Sequence, residues 1–466
     1  MVAGAGPAGL VAGLVLGRYG INVLVAEKRP TSSNLSRALV ISTRCMEILR
    51  GWGLEAKVRA GAAPVEPRAW VTRTLASAEG TEMSLGYPTA AEASRVSPTG
   101  PAWAPQDHLE PLLLGLLQAT PSVRVRFGLE LVELEQDDSG VRAEVLDHDS
   151  GQVEQIRPRH LIGADGAHSV VRGQVGISMD GRDDLAEYHR VEFRASLAGA
   201  LRHPGYGLYV VTHPKVAGVL ALRGRGDRWG LSREWRPGQR RLDEHSEAEL
   251  VDLVRKAVGR GADAIDIETT TAFLFAAQIA ERYRAGRVFL VGDAAHRMTP
   301  RGGTGMNTAI QDAYDLAWKL AWVLRGWAGP ELLDSYEAER RPIGLHNVQR
   351  TERADGASRT ADDALPWDLN GRLAHHWVGG HEGSPSTLDL VGPGLTLFTH
   401  GDHAGWRDAI HRLTASVPLE IVRLDGASAT ALGLAPNGAL LVRPDAHEVA
   451  RWDDPGQSRA TALSLT

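Results

Sequence analysis

The chain has 466 residues, 43% of them hydrophobic and 23% charged, with a formal net charge of -6; that length predicts two or three domains with sizeable cores. The acidic balance excludes the basic excess of a nucleic-acid binder, and no apolar run approaches the roughly 18 residues of a membrane span. A single cysteine, Cys45, excludes an internal disulfide and any CxxC redox pair, and it fits a reducing, cytoplasmic setting.

In chain order, the first forty residues read as strand, glycine turn, helix, strand: Val2 and Ala3, GAGPAG, LVAGLVLGRYG, INVLVAE. A first strand of this kind normally runs several residues; here almost nothing precedes Gly4, so the natural start lies upstream or the strand is clipped. Between residues 123 and 165 the pattern changes to short alternating runs, VRVRF, LELVELE and VRAEVLD, with Asp-Ser-Gly turns, which predicts a meander returning to the first sheet. Residues 180–275 carry further β-type runs, RVEFRAS, YGLYVVTH and GVLALRG, followed by a helix at SEAELVDLVRKAVGR. Apolar residues at Met306, Ile310, Ala313, Ala317, Leu320 and Leu324 keep helical spacing and predict a long helix over 305–325. The stretch VGGHEGSPS at 378–386 reads as a linker. Beyond it LTLFTH, WRDAIHRL, PLEIVRL, GALLVRP and EVARW predict a small α/β domain.

Three stretches carry chemistry. Gly4-Ala5-Gly6-Pro7-Ala8-Gly9 matches G-x-G-x-x-G between a strand and a helix, with Glu27 ending the next strand. Its glycines permit a tight turn and close backbone approach, the helix start favours a pyrophosphate, and the carboxylate can take a ribose hydroxyl. Alone it leaves FAD and NAD undecided. In GADGAHSVVR, Asp165 ends a strand within a glycine turn, and Arg172 stands seven residues on, where it could pair with that carboxylate or a phosphate. In GDAAHRMTPRGGTGMN, Asp293 follows the apolar run 288–291, and a glycine loop delivers the start of the long helix to the same place. A helix N-terminus favours negative charge, and a reduced flavin carries it at the pyrimidine end of its ring. Plain turn or N-cap roles remain the alternative for each carboxylate. His296 reads as a structural hydrogen-bonding residue rather than a base.

These motifs, in this order, resemble the class A flavoprotein monooxygenases, the para-hydroxybenzoate hydroxylase and phenol hydroxylase group. Within it the chain looks most like the natural-product tailoring hydroxylases and rifampicin monooxygenase-like enzymes, which end in a thioredoxin-like domain. The resemblance implies an α/β fold: a Rossmann-like FAD domain, a β-sheet substrate domain and a C-terminal thioredoxin-like domain without CxxC. The expected boundaries are 1–179 for the first FAD segment, with part of the substrate sheet near 68–104, then 180–275 for the substrate domain. Residues 276–377 form the second FAD segment, 378–386 the linker and 387–466 the last domain.

The resemblance assigns Glu27 to the adenosine ribose and Arg37 to the pyrophosphate, Arg44 being a weaker candidate; the adjacent Lys28 is a further cofactor-binding candidate. Gln106 matches a position that touches FAD, Leu131 one that meets the adenine, and Asp165 one linked to FAD and NAD(P)H. Gly292 and Asp293 fall at the ribityl chain, and Pro300 with Gly303, Thr304, Gly305, Met306 and Asn307 at the isoalloxazine ring. Thr304 departs from the Gln common in the family. Pro300, Arg301 and the aromatic residues Tyr206, Tyr209 and Trp229 are candidate substrate contacts, the three aromatics having a core role as the alternative. Trp103 borders the cavity or the core, while Trp318 and Trp322, four apart on the long helix, read as packing.

The implied reaction uses FAD, transient NADPH or NADH, and molecular oxygen to hydroxylate a phenolic or polyketide-derived small aromatic through a flavin C4a-hydroperoxide. A second permanent nucleotide site is not expected, because the nearest candidate, GRGDRWG at 224–230, has the wrong spacing. Baeyer-Villiger insertion and epoxidation stay open as alternatives. So does a non-catalytic protein that binds FAD and sequesters an intermediate. Halogenation is disfavoured, since the WxWxIP signature is absent and RWGLSREW is the nearest run. No metal is expected, no catalytic base stands out, and a homodimer is compatible with the sequence.

Overall fold

The computed structural model describes residues 1–33, 37–262, 264–401, 405–407, 410 and 417–457. The run WRDAIHRL falls for the most part outside them.

Six strands form the first sheet, in spatial order Arg284–Ala285, Val288–Leu290, Leu161–Gly163, Val2–Ala3, Val23–Glu27 and Val123–Phe127. The central strand is two residues long, yet Val2 lies between Val25 and Ile162 and is fully buried. All but the edge strand Arg284–Ala285 run parallel. Parallel strands end on one edge of a sheet, and that edge is where α/β proteins bind ligands. The chain therefore brings Gly4, Glu27, Asp165 and Asp293 to one crevice although 289 positions separate the first from the last. Pro7 opens the first helix, Pro7–Arg18, at a position where its missing N–H costs nothing. The long helix spans Gly305–Arg325, as its apolar spacing predicts, and is buried along most of its length. Trp318 and Trp322 meet edge-on at 5.0 Å within that core.

The second sheet has eight strands, in the order His296–Arg297, Asp266–Ala280, Met179–Arg194, Arg228–Trp235, Gly218–Leu222, Tyr206–Val211, Glu66–Thr72 and Gly80–Ser84. One face packs on the helix Glu247–Val258, which Ser246 caps in a capping box. The other face looks into the crevice. Two strands straddle the boundaries expected from sequence: Met179–Arg194 begins at 179, and Asp266–Ala280 runs past 275. Both strands belong wholly to the second sheet, so that sheet extends past the expected boundaries at each end. Leu129–Asp137, Gly140–Asp147 and Val153–Ile156 form a three-stranded meander beside the first sheet.

In the C-terminal unit, Leu395–Thr399 is parallel to Leu419–Arg423 and antiparallel to Ala439–Val442, which pairs with Glu448–Trp452. Residues 378–386 are a closed loop rather than an extended spacer: Trp377 bridges Ser386, and Val378 N–H donates to the Pro385 carbonyl at 2.9 Å. Buried charges seat this unit on the rest of the chain. Glu47 accepts from Arg44 Nη1 at 2.9 Å and from Arg372 Nε at 3.0 Å. Arg44 Nη2 also donates to the Asp445 carbonyl at 2.7 Å. Breaking such a buried pair costs about 3–5 kcal/mol, so Arg44 is committed to this contact and does not face the crevice. Among the described residues no helix is long and apolar enough to cross a membrane.

Candidate active site

The three glycines of the first turn do different work. Gly4 has φ +105°, and a Cβ there would lie 2.3 Å from the Ala164 carbonyl oxygen. Only a residue without a side chain lets the two strand ends approach this closely. A Cβ on Gly9 would sit 1.9 Å from the Gly4 oxygen, so Gly9 sets the helix against the turn. A Cβ on Gly6 meets nothing within 4 Å; its bare backbone opens on the cavity at the start of Pro7–Arg18, with Gly4, Pro7 and Ala8 beside it. Glu27 fixes the turn by accepting the Ala5 N–H at 2.8 Å with one carboxylate oxygen and the Arg29 N–H at 3.0 Å with the other. Lys28, Arg37, Gln106 and Leu131 line the same cavity. Gln106 Nε2 donates to Glu110 at 2.6 Å, and burial raises the Glu110 pKa.

Asp165 accepts from the Ser169 hydroxyl at 2.5 Å and the Val171 N–H at 3.0 Å. Of the two partners open to Arg172, this carboxylate is not the one it takes. Its guanidinium donates to the Ala294 carbonyl at 3.0 Å and the Ala167 carbonyl at 3.2 Å, tying the Asp165 loop to the Asp293 loop. Asp293 presents its carboxylate to the cavity. Protein walls surround that opening, and the resulting loss of hydration raises its pKa, against the nearby His296, Arg37 and Arg297. Gly292 is not itself a liner; a Cβ on it would lie 2.9 Å from Ala309, so its bareness lets the long helix come close.

Pro300, Arg301, Gly303, Gly305 and Met306 line the cavity where the long helix begins. A Cβ on Gly305 would meet nothing within 4 Å. The start of a 21-residue helix therefore presents its backbone N–H groups and positive dipole end to the cavity. Thr304 and Asn307 brace this turn instead of lining the large cavity. Thr304 Oγ1 accepts from Arg350 at 3.0 Å. Asn307 donates to the Val40 and Gly303 carbonyls at 3.0 Å each and accepts the Ser42 N–H at 2.8 Å. Tyr87, which no sequence signal singled out, holds the loop from the other side with its hydroxyl 2.9 Å from the Gly303 oxygen. His296 is structural: Nε2 lies 2.6 Å from Asp312, which also accepts from Arg340 at 2.8 Å, all three buried. Burial alone would raise Asp312, but Arg340 and His296 hold it below the usual carboxylate range.

The second sheet supplies the opposite wall, and here the expected aromatics are corrected. Tyr209 and Trp229 point to the far face, 1% and 4% exposed, with their rings 6.4 Å apart. Tyr206 lies outside the cavity as well, 5.3 Å from Trp70 and hydrogen-bonded to Glu82. A register shift between Tyr206 and Leu208 puts Tyr206 and Tyr209 on one face although they are three apart; Leu208 and Val210 take the cavity side. The central strands of this wall instead bring Tyr188, Phe273 and Phe275 to the cavity, with Tyr188 stacked on Phe275 at 4.1 Å and 8°. The alternation F-x-F at 273–275 was the available signal. Arg301 lies over the Phe275 ring at 5.4 Å, anchored from behind by the Glu352 carbonyl at 2.9 Å. Trp103 lines the cavity with its ring and donates Nε1–H to the Leu222 carbonyl at 2.6 Å.

The cavity is continuous from Gly6 to this wall and holds about 820 Å³, in the upper range of small-molecule sites (about 300–1,000 Å³). An FAD fits the groups present. Two bare glycine backbones, Gly6 and Gly305, open helix starts onto one cavity, matching a pyrophosphate at one end and an anionic ring at the other.

Comparison with known proteins agrees. Residues 1–351 match the family model described as FAD binding domain, and residues 369–465 the one described as aromatic-ring hydroxylase, C-terminal. The tetracenomycin A2 monooxygenase-dioxygenase of Streptomyces glaucescens is 32% identical over 96% of this chain and 91% of its own length. The flavin-dependent monooxygenase PieE, solved with FAD and substrate, superposes with a TM-score of 0.88 at 27% identity, covering 98% of this chain and 96% of that one. Aklavinone-11 hydroxylase, solved with FAD and aklavinone, gives 0.85 at 31% identity over 97% and 95%.

Proposed function

The chain belongs to the FAD-dependent aromatic-ring hydroxylases, and from that premise we propose that it adds one oxygen atom of O₂ to a flat phenolic or polyketide-derived aromatic at the expense of NADPH or NADH. The balance is one ring C–H, one O₂, one NAD(P)H and one proton giving one ring C–OH, one water and NAD(P)⁺. Bound flavin supplies the two-electron relay and the activation of oxygen.

The chain's own residues bind, orient and shield. Gly4, Gly6, Pro7, Ala8 and Gly9 with the helix start would hold the pyrophosphate, Arg37 would flank it, Glu27 would take the adenosine ribose and Leu131 would cover the adenine. Asp293 would accept from the ribityl hydroxyls. Pro300 with Gly303, Gly305 and Met306 would border the ring, and the helix dipole there would favour its anionic form. Asp165 stands where NAD(P)H approaches. Tyr188, Phe273 and Phe275 make the face on which an aromatic substrate stacks and keep water from the reacting atoms. The observation that carries this reading is the continuity of the cavity between the two helix starts and the aromatic wall.

Anaerobic stopped-flow reduction by NADPH tests it against a panel of phenols, naphthoquinols and hydroxyanthraquinones. A compound that fills the aromatic wall is expected to speed flavin reduction by about tenfold or more, roughly 1.4 kcal/mol of barrier. If no panel member changes the rate, the hydroxylase reading of this cavity fails.

A further inference from the structure

The aromatic wall ends in a charged notch that the reaction above does not use. Tyr188, Arg190 and Glu192 follow one another on one face of their strand, each step about 7 Å. Arg190 lies over the Phe273 ring at 4.9 Å and is held by Ser232 at 3.1 Å and Glu192 at 3.4 Å. Across Gly230 stands Arg223: a Cβ on Gly230 would come within 3.4 Å of both arginines. Arg190, Arg223, Gly230 and Ser232 all line the cavity.

The charges here are unequal. Glu192 is shared between the two arginines, 3.3 Å from Arg223 Nη2, and the neighbouring Asp107 is taken by Arg228 at 2.9 Å. Arg223 is 3% exposed, yet its Nε and Nη2 have no hydrogen-bond partner among the described residues. Burial and the like charge of Arg190 push its pKa down to about 10. A buried guanidinium whose one ion-pair partner among the described residues is a carboxylate already shared with a second arginine is costly to fold around. An anion arriving in the notch would relieve that cost.

We propose that the notch between Arg190 and Arg223 binds an anionic oxygen of the substrate, a carboxylate or an ionised phenol, at the end remote from Pro300 and Arg301. The inference rests on the reading of the cavity as an aromatic-substrate site and adds that the substrate is an aromatic acid. Its order along the wall follows from Arg301 on Phe275, Phe275 on Tyr188, and Arg190 on Phe273.

The holoenzyme is titrated, with the flavin spectrum as readout, with anthraquinone-2-carboxylate, 2-hydroxyanthraquinone at a pH that ionises it, and the neutral anthraquinone-2-carboxamide. Wild type is expected to bind the preferred anion at least tenfold more tightly than the amide, the other anion showing whether the notch selects carboxylate or phenolate. Arg223→Met is expected to abolish that preference while amide affinity stays within about threefold, a change under 0.7 kcal/mol, and FAD content is unchanged. Arg223→Lys restores part of it. Equal binding of amide and both anions by wild type overturns the proposal without needing a variant. Release of FAD from a folded Arg223→Met protein also overturns it, since the arginine then serves the cofactor. If none of the three probes perturbs the flavin, the aromatic-substrate reading itself has failed and takes the notch with it.

Discussion

A valine at position 6 is expected to leave the protein folded and colourless. A Cβ on Gly6 meets no protein atom within 4 Å, so Gly6→Val has room in the native fold. The space it fills is the mouth of the cavity at the first helix start, where a pyrophosphate would lie against backbone N–H groups. Losing two charge-assisted hydrogen bonds there, at about 1.5–3 kcal/mol each, weakens FAD binding roughly 150- to 20,000-fold. Gly9→Val provides the contrast, because its Cβ would sit 1.9 Å from the Gly4 oxygen; that variant fails to fold. Circular dichroism and flavin absorbance separate the two outcomes. A yellow Gly6→Val protein with native flavin content contradicts the assignment of this turn to the pyrophosphate.

Asp293→Ala is expected to lose FAD on purification while keeping its fold. Asp293 is the carboxylate that the second helix-start loop presents to the cavity, and no strand or helix depends on it for a cap. Removing a charged acceptor costs about 1.5–3 kcal/mol, roughly a 10- to 150-fold rise in the dissociation constant for FAD. Asp293→Asn keeps an acceptor and should retain more flavin than the alanine. Full flavin occupancy in Asp293→Ala overturns the role given to this residue.

What could be read from the chain divides along a physical line. The loops at Gly4, Asp165 and Asp293 were legible because each is a local pattern at a strand end, and parallel strands bring such ends together without further information. The long helix was legible from its spacing. The substrate wall was not, because facing depends on register. One bulge between Tyr206 and Leu208 turned two tyrosines away, while Tyr188, Phe273 and Phe275 took the cavity face through strand pairing that spans 85 positions between Tyr188 and Phe273. Arg44 shows the same limit. The resemblance made it a weaker cofactor candidate, but with Glu47 one turn away on its own helix its remaining partner, the Asp445 carbonyl, was set by how the C-terminal unit docks. Tyr87 braces the Gly302–Gly303 loop from 216 positions away, a contact no local pattern announces.

The central claim is that this cavity couples NAD(P)H oxidation to transfer of one atom of O₂ onto an aromatic ring. Turnover under oxygen-18 gas, with the panel compound that most accelerates reduction, tests it directly by mass spectrometry of the product. One heavy oxygen atom on the ring per NAD(P)H consumed is the expected result. A product whose new oxygen comes from water, or NAD(P)H consumption that yields only hydrogen peroxide with every accelerating compound, would contradict the account.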